Sequence, residues 1–347
     1  MPSAPHFANS QGAGDAIAER AGTPVRRAFR PLMQFILLLA ILWGLFDGIY
    51  ASLPYIRPGA KIIYNAKARA MRHPEAGVRL FSTGASVRVL VMGNSKMLAG
   101  FNPAVFDQAA GQGVSSFNAG LPQDPRFLPD LEAILAREDR PTHVLLTMSW
   151  YDPAAQEDSL TGDGQVMEAI FPFHHLPRDL TLFALRARAR GGLKAFYRQG
   201  PQSISDMLAA RGYYFIEGQS HFADHRLPPD FRLDSDTPHV PYARVGDASK
   251  PEFQRLCTLL HEHHVPAIYV PLHSRVGEFA PATQNDAWAR AVAGCAELSI
   301  LGPDYWLFPN SDFADPVHLN PEGAADYSRR LAELVGPVLR GTKGAKG

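Results

Sequence analysis

The stretch Val87-Arg-Val-Leu-Val-Met-Gly-Asn-Ser-Lys96, continued by Met-Leu-Ala-Gly-Phe-Asn-Pro103, decides the fold class of this chain. Val87, Val89, Leu90, Val91 and Met92 form a short, mostly β-branched run of the kind a buried parallel strand requires. Gly93-Asn94 breaks the run, and Ser95 falls where the chain must turn. In an open α/β sheet, ligands gather just beyond the carboxyl ends of the strands, and for this strand that end is Gly93 to Lys96. A serine there is displayed beside backbone N–H groups that can face a substrate oxygen. The plainer role for Ser95 is to cap the next helix.

A second stretch, far downstream, raises the chemical reading of the first. It runs Asp312-Phe-Ala-Asp315-Pro-Val-His318-Leu-Asn320-Pro-Glu-Gly323 and leads into the helical pattern Ala324 to Val335. Asp315 and His318 are three apart, so one turn lets the carboxylate hold one imidazole nitrogen. The other nitrogen is then open to a serine proton, which is how a weak hydroxyl nucleophile is activated.

Together the two stretches resemble the SGNH (GDSL-like) hydrolase superfamily. Its first block is Gly-Asp-Ser after the first strand and its last is Asp-x-x-His before the final helix; here Gly93-Asn94-Ser95 and Asp315-Pro-Val-His318 match them in order. The resemblance covers about 81–340 and implies a flavodoxin-like three-layer α/β/α sandwich around a parallel sheet. It also implies Ser95 as nucleophile, His318 as base and then acid, and Asp315 as the group that orients His318. In Val114-Ser-Ser-Phe-Asn118-Ala-Gly120 a short strand ends in Asn-x-Gly, which resembles the second block. Gly120 and Ser95 would then supply backbone N–H groups to an oxyanion, although a plain turn glycine reads equally well. The third block, Gly-x-Asn, should fall after His143-Val-Leu-Leu-Thr-Met148, where Ser149-Trp150-Tyr151-Asp152 stands instead. That asparagine normally donates to the oxyanion, so either another group fills in or the catalysis is specialised. Asn94, Lys96, Trp150 and Tyr151 are the candidate substrate contacts; Lys96 would favour an anionic polymer, or else be a solvated lysine at a helix start.

Residues 1–30 are small, polar and unpatterned, and read as a disordered cytoplasmic tail. Residues 31–53 read as a transmembrane helix, with Asp47 and Tyr50 near one interface. A cleaved signal peptide and a buried core helix are the rivals. Arg26, Arg27 and Arg30 precede the span and set its amino end in the cytoplasm, with the rest periplasmic or extracellular on the inner membrane. Residues 54–80 are a juxtamembrane segment with a helix over Ala60 to Met71. Within 81–340, a long insertion at about 153–249 follows neither period and reads as a lid or binding segment. Helices are expected from Asn102-Pro103 to Ala110, over Arg126 to Arg137, Glu252 to Glu262 and Asp286 to Leu298, with strands at Val265 to Pro271 and Leu298 to Leu301.

Lys and Arg number 34 against 34 Asp and Glu, so no basic footprint points to nucleic acid. His261-Glu-His263-His264 is contiguous, and the His221/His225 pair has no glutamate between, so neither is read as a metal site and no cofactor is expected. Cys257 and Cys295 lie in separate helix candidates on either side of the fourth strand and are read as two buried thiols, an exported disulfide being the alternative.

The anchored look is similar to the O-acylation partners of secreted polymers, such as the alginate and cellulose acetylation proteins and the D-alanyl transfer protein of teichoic acids. That resemblance implies a serine-dependent O-acyltransferase acting on an exported polysaccharide, beside a multi-span membrane-bound O-acyltransferase. A carbohydrate deacetylase and a non-catalytic binding subunit are the rival readings.

Overall fold

The computed structural model describes residues 23–52, 59–121, 127–147, separate positions between 180 and 236, 251–279 and 294–341. Residues 1–22 of the expected tail, Trp150, Tyr151 and most of the insertion lie outside them, while residues 23–30 of that tail are helical rather than disordered.

The first helix, α1 (Thr23–Ser52), contains one window, Arg30–Gly48, long and apolar enough to cross a membrane. Its 19 residues rise about 28 Å, close to the thickness of a hydrocarbon core. None of that window is buried against the described residues, unlike the core helix of the alternative reading. The next helix, α2 (Gly59–Arg72), matches the juxtamembrane helix and turns Ile63, Lys67, Ala68, Ala70 and Met71 inward.

The central sheet is built from β1 (Val87–Met92), β2 (Val114–Asn118), β3 (His143–Leu146), β4 (Ala267–Tyr269) and β6 (Leu298–Ile300). They lie in the order β2-β1-β3-β4-β6, and every pairing is parallel. The central position of β1 explains its composition: it is flanked on both edges and covered on both faces, so all but Arg88 is buried. Alternation along the strand divides the core in two. Leu90 and Met92 face one cluster with Phe117, Val144, Leu146, Leu131 and Leu256, while Val87, Val89 and Val91 face another with Leu145, Ile268, Phe106, Tyr327 and Leu331.

Helices α5 (Phe127–Leu135) and α6 (Pro251–His263) close the first face. The second is closed by α3 (Ser95–Gly100), α4 (Pro103–Ala110) and α7 (Pro321–Gly341). Helix α7 buries Ala324, Tyr327, Leu331, Val335 and Leu339, a stripe at spacings of three and four. Tyr327 donates its hydroxyl to Pro271 O (2.7 Å), and Ser328 Oγ accepts the Asn102 N–H (2.8 Å), tying α7 to the cap of α4.

Two expectations need correction. First, a small second sheet pairs β5 (Leu272–Arg275) with β7 (Tyr305–Phe308), also in parallel. It was not anticipated because Pro271 splits one apolar run into β4 and β5. Second, Cys257 and Cys295 are bonded to each other, with Cα atoms 5.5 Å apart. Both side chains belong to the same face, Cys295 buried in the α6 cluster and Cys257 packed against it, so lying on either side of β4 in sequence does not separate them in space.

Candidate active site

Ser95 is the first residue of α3, directly beyond the carboxyl end of β1. The turn is tight because Gly93 has no side chain: a Cβ there would fall inside the van der Waals shell of Thr147 Oγ1 and Met97 Cγ. Asn94 is the N-cap of α3, and its side chain accepts the Lys96 N–H at 3.0 Å. That use of Asn94 leaves Ser95, not the cap residue, at the head of the helix. The Ser95 N–H is then among the N-terminal amides with no acceptor within the helix.

Asp315 and His318 are held in a loop after β7. A short 3₁₀ turn at Asn310–Asp312 leads into it, and Phe313 and Leu319 pair across its base. Ala314 N donates to His318 O (2.9 Å), and Asn320 N to Asp312 O (2.8 Å). Asn320 Nδ2 reaches Ser311 O (2.7 Å), while its Oδ1 accepts the Gly323 N–H (3.0 Å) and caps α7. The Asn-Pro-x-Gly continuation is thus the splint that sets the loop against the last helix.

The three expected residues meet. His318 Nε2 lies 3.0 Å from Ser95 Oγ, and His318 Nδ1 lies 2.8 Å from Asp315 Oδ2. Asp315 Oδ1 accepts the Val317 and His318 amides, each at 2.8 Å. Burial works against the Asp315 carboxylate, but the His318 ring and the two amides outweigh it, so its pKa sits below the ordinary carboxylate value. A carboxylate that stays ionised on Nδ1 holds the proton there and leaves Nε2 as the acceptor for the serine proton.

Gly120 lies against α3, where a Cβ would press on Leu98 N and Asn118 Oδ1. Its N–H is donated to Asn118 Oδ1 at 2.9 Å, so the amide given an oxyanion role by resemblance already has an acceptor. Lys96 is not the solvated lysine of the plainer reading. Its side chain is 12% exposed, with Nζ 3.4 Å from His273 O and 3.6 Å from Glu278 Oε1. The Glu278 contact draws its charge inward.

Several polar residues around the site were missed in the sequence. Arg275, at the end of β5, donates through Nε to Pro316 O (2.8 Å), between Asp315 and His318, and through Nη2 to Asp236 Oδ1 (2.8 Å). It is 1% exposed. Glu278 Oε2 accepts the Arg275 amide at 3.1 Å, so Lys96 and the Asp315–His318 loop are joined through Glu278 and Arg275. His273 is fully buried beside Gly100, Phe313 and Tyr327, and neither ring nitrogen has a partner among the described residues. Burial first, then the charges of Lys96 and His318, push its pKa well down. Lys67 of α2 is also fully buried and donates to Gly120 O (2.6 Å) and Gly212 O (2.9 Å). Only the Lys96 neighbourhood carried a sequence signal for any of these.

His261 is an exposed residue 2.7 Å from Glu297, and among the described residues no cluster of three or more His, Cys, Asp or Glu has the arrangement of a metal site. Comparison with family models, with curated proteins and with solved structures returns no match, so the chemistry assigned to this chain comes from its own residues.

Proposed function

We propose that this chain is a membrane-anchored serine acyltransferase of the SGNH-like type, acting on an exported polysaccharide. The observation that carries the proposal is the continuous Ser95–His318–Asp315 hydrogen-bonded chain at the carboxyl ends of a parallel sheet. The strand order, 2-1-3-4-5 counting only strands of the main sheet, fits the flavodoxin-like arrangement in which sites lie at those ends.

His318 Nε2 takes the Ser95 proton as Oγ bonds to the carbonyl carbon of an acyl donor. The carbonyl oxygen becomes an oxyanion facing the Ser95 N–H at the head of α3. Collapse breaks the bond to the leaving group, which receives the proton from His318 Nε2, and leaves an acyl ester on Ser95. A sugar hydroxyl then gives its proton to the same nitrogen and attacks the ester, and Ser95 recovers its proton as it leaves. Water in place of the sugar makes the enzyme a deacetylase.

The anchor favours transfer: a donor supplied at the membrane, by a multi-span O-acyltransferase, gains from a tethered acceptor enzyme. The Cys257–Cys295 bond fits an oxidising, exported compartment. The test uses the full chain in detergent, incubated with an activated acetyl ester with and without an oligosaccharide. Mass added to Ser95, and to the sugar when present, is the expected result. Fast acetate release from acetylated polymer without transfer moves the assignment to a deacetylase, and no acyl-Ser95 with any donor overturns serine catalysis.

A further inference from the structure

Lys67 is the one fully buried lysine among the described residues, and it has no carboxylate on it. Its Nζ is surrounded instead by three oxygens: Gly120 O at 2.6 Å, Gly212 O at 2.9 Å and Asn118 Oδ1 at 3.4 Å. Three acceptors match the three hydrogens of an ammonium, whereas a neutral amine would turn its lone pair on one of them. Burial pushes the Lys67 pKa well down, and the three oxygens are what hold the buried amine in place.

What the cage holds is the back of the nucleophile's helix. Asn118 Oδ1, which Lys67 shares with the Gly120 N–H, belongs to an amide whose Nδ2 donates to Met97 O (2.7 Å), Leu98 O (3.2 Å) and Phe101 O (2.7 Å). Those carbonyls close the helix that begins at Ser95. Gly120 packs on Leu98 N, and Gly212 on Asn118 O, both so closely that a Cβ could not enter. The juxtamembrane helix, the Asn118–Gly120 turn and the insertion segment at Gly212 therefore meet on one cation.

We infer that Lys67 is a positioning residue for the acyl-transfer site, holding the Asn118–Gly120 turn against α3. The inference rests on the serine chemistry proposed above.

The experiment compares the full chain in detergent with Lys67→Met and Lys67→Arg. Three quantities are read: the rate of Ser95 phosphonylation by a fluorophosphonate, KM for an activated acetyl ester, and the affinity of a boronic acid that forms a tetrahedral anion on Ser95. In Lys67→Met the phosphonylation rate and boronate affinity should both fall about 10- to 100-fold, within reach of what a lost oxyanion donor costs, with KM nearly unchanged. Lys67→Arg should recover most of both. A purely structural lysine would lower stability and leave the boronate affinity of the folded fraction unmoved. Wild-type rates in Lys67→Met, or equal losses in the Met and Arg variants, overturn the inference while leaving serine catalysis standing. Failure of the wild-type chain to label at Ser95 overturns both.

If Lys67→Met does not fold, the wild-type chain labelled with ¹⁵N-lysine decides. A slowly exchanging Lys67 ammonium signal that moves when Ser95 carries the phosphonate supports the inference. One that stays in place refutes it.

Discussion

Replacing Asp315 by Asn separates orientation from architecture at this site. Asp315 uses its two oxygens differently: Oδ1 accepts the Val317 and His318 amides, and Oδ2 holds His318 Nδ1. An asparagine keeps an oxygen for the two amides, so the loop stays formed. Its NH₂ then faces Nδ1, which can satisfy it only as an acceptor, and the ring proton moves to Nε2, where it blocks transfer from Ser95. Restoring the working tautomer sets N–H against N–H. The cost is the lost charge-assisted bond, about 1.5–3 kcal/mol, plus an unsatisfied donor, about 1–3 kcal/mol. Together these raise the barrier by about 3–6 kcal/mol, a drop of roughly 10²- to 10⁴-fold at 1.36 kcal/mol per tenfold. Asp315→Ala should be as slow and also less stable, because it strands both amides. Fluorophosphonate labelling of Ser95 gives the rate, and thermal unfolding gives the stability. An Asp315→Asn chain retaining a third or more of the wild-type rate would refute the tautomer argument.

Four further outcomes follow from particular contacts. Reducing Cys257–Cys295 opens a 38-residue separation and should lower stability by about 4 kcal/mol in the chain-entropy picture, measured by denaturant unfolding with and without reductant. Arg275→Met should cost about 1–3 kcal/mol by leaving the half-buried Asp236 carboxylate without its guanidinium. Arg275→Met/Asp236→Leu should recover much of that stability but not activity, since Pro316 O still lacks its donor. Gly93→Ala should lose about 1–3 kcal/mol or more and most labelling of Ser95, the new methyl displacing Met97 or Thr147; near-normal labelling would show the elbow to be more pliant than its packing. Burial lowers His143 from 6.5 to about 4, so the unfolded chain binds the extra proton between those values, and stability should fall by up to about 3 kcal/mol as pH drops through that window. His273, buried in the same sense, adds to the acid loss, which a pH series of unfolding midpoints would detect.

The parts of the fold legible in the sequence are those where local chemistry and burial agree. The run Val87 to Met92 reads as a central strand because both its faces are covered, and Asn102-Pro103 reads as a helix start because the side chain caps and the ring fits the first turn. Ser95, Asp315 and His318 were legible because each sits at a strand-to-helix or strand-to-loop punctuation of glycine, asparagine and proline. Lys67, Arg275 and His273 were not. A lysine in an amphipathic juxtamembrane helix has the same sequence signature whether it faces water or a cage of carbonyls. Arg275 and His273 belong to a four-residue strand too short to show a period, and its partner, β7, lies beyond β6 in sequence. The disulfide was missed for a related reason: order along the chain does not reveal which face of a sheet a side chain joins.

The elbow is held from three directions, and the helix long and apolar enough to cross a membrane leads into one of them. Arg275 binds the Asp315–His318 loop from the small sheet. The insertion contributes Arg211 O to the Asn118 amide (2.9 Å) and the Tyr214 amide to Leu98 O (3.1 Å). Helix α2 contributes Lys67. Only residues 53–58 separate α1 from α2, and six residues reach no more than about 21 Å when fully extended. Lys67 lies eight residues into α2, about 12 Å further along its axis. The apolar helix and the turn beside Ser95 are thus linked by a short reach and a rigid helix, with no long linker to average their separation. Such a tether contributes little for a polymer diffusing in bulk. With α1 in a membrane, as proposed, a donor confined to that surface would meet Ser95 within a few tens of ångströms, where the effective concentration set by linker length is highest. Lengthening 53–58 with flexible residues should therefore slow transfer from a membrane-bound donor while leaving the reaction with a soluble activated ester unchanged. Equal rates for both donors would remove proximity from the account of this anchor.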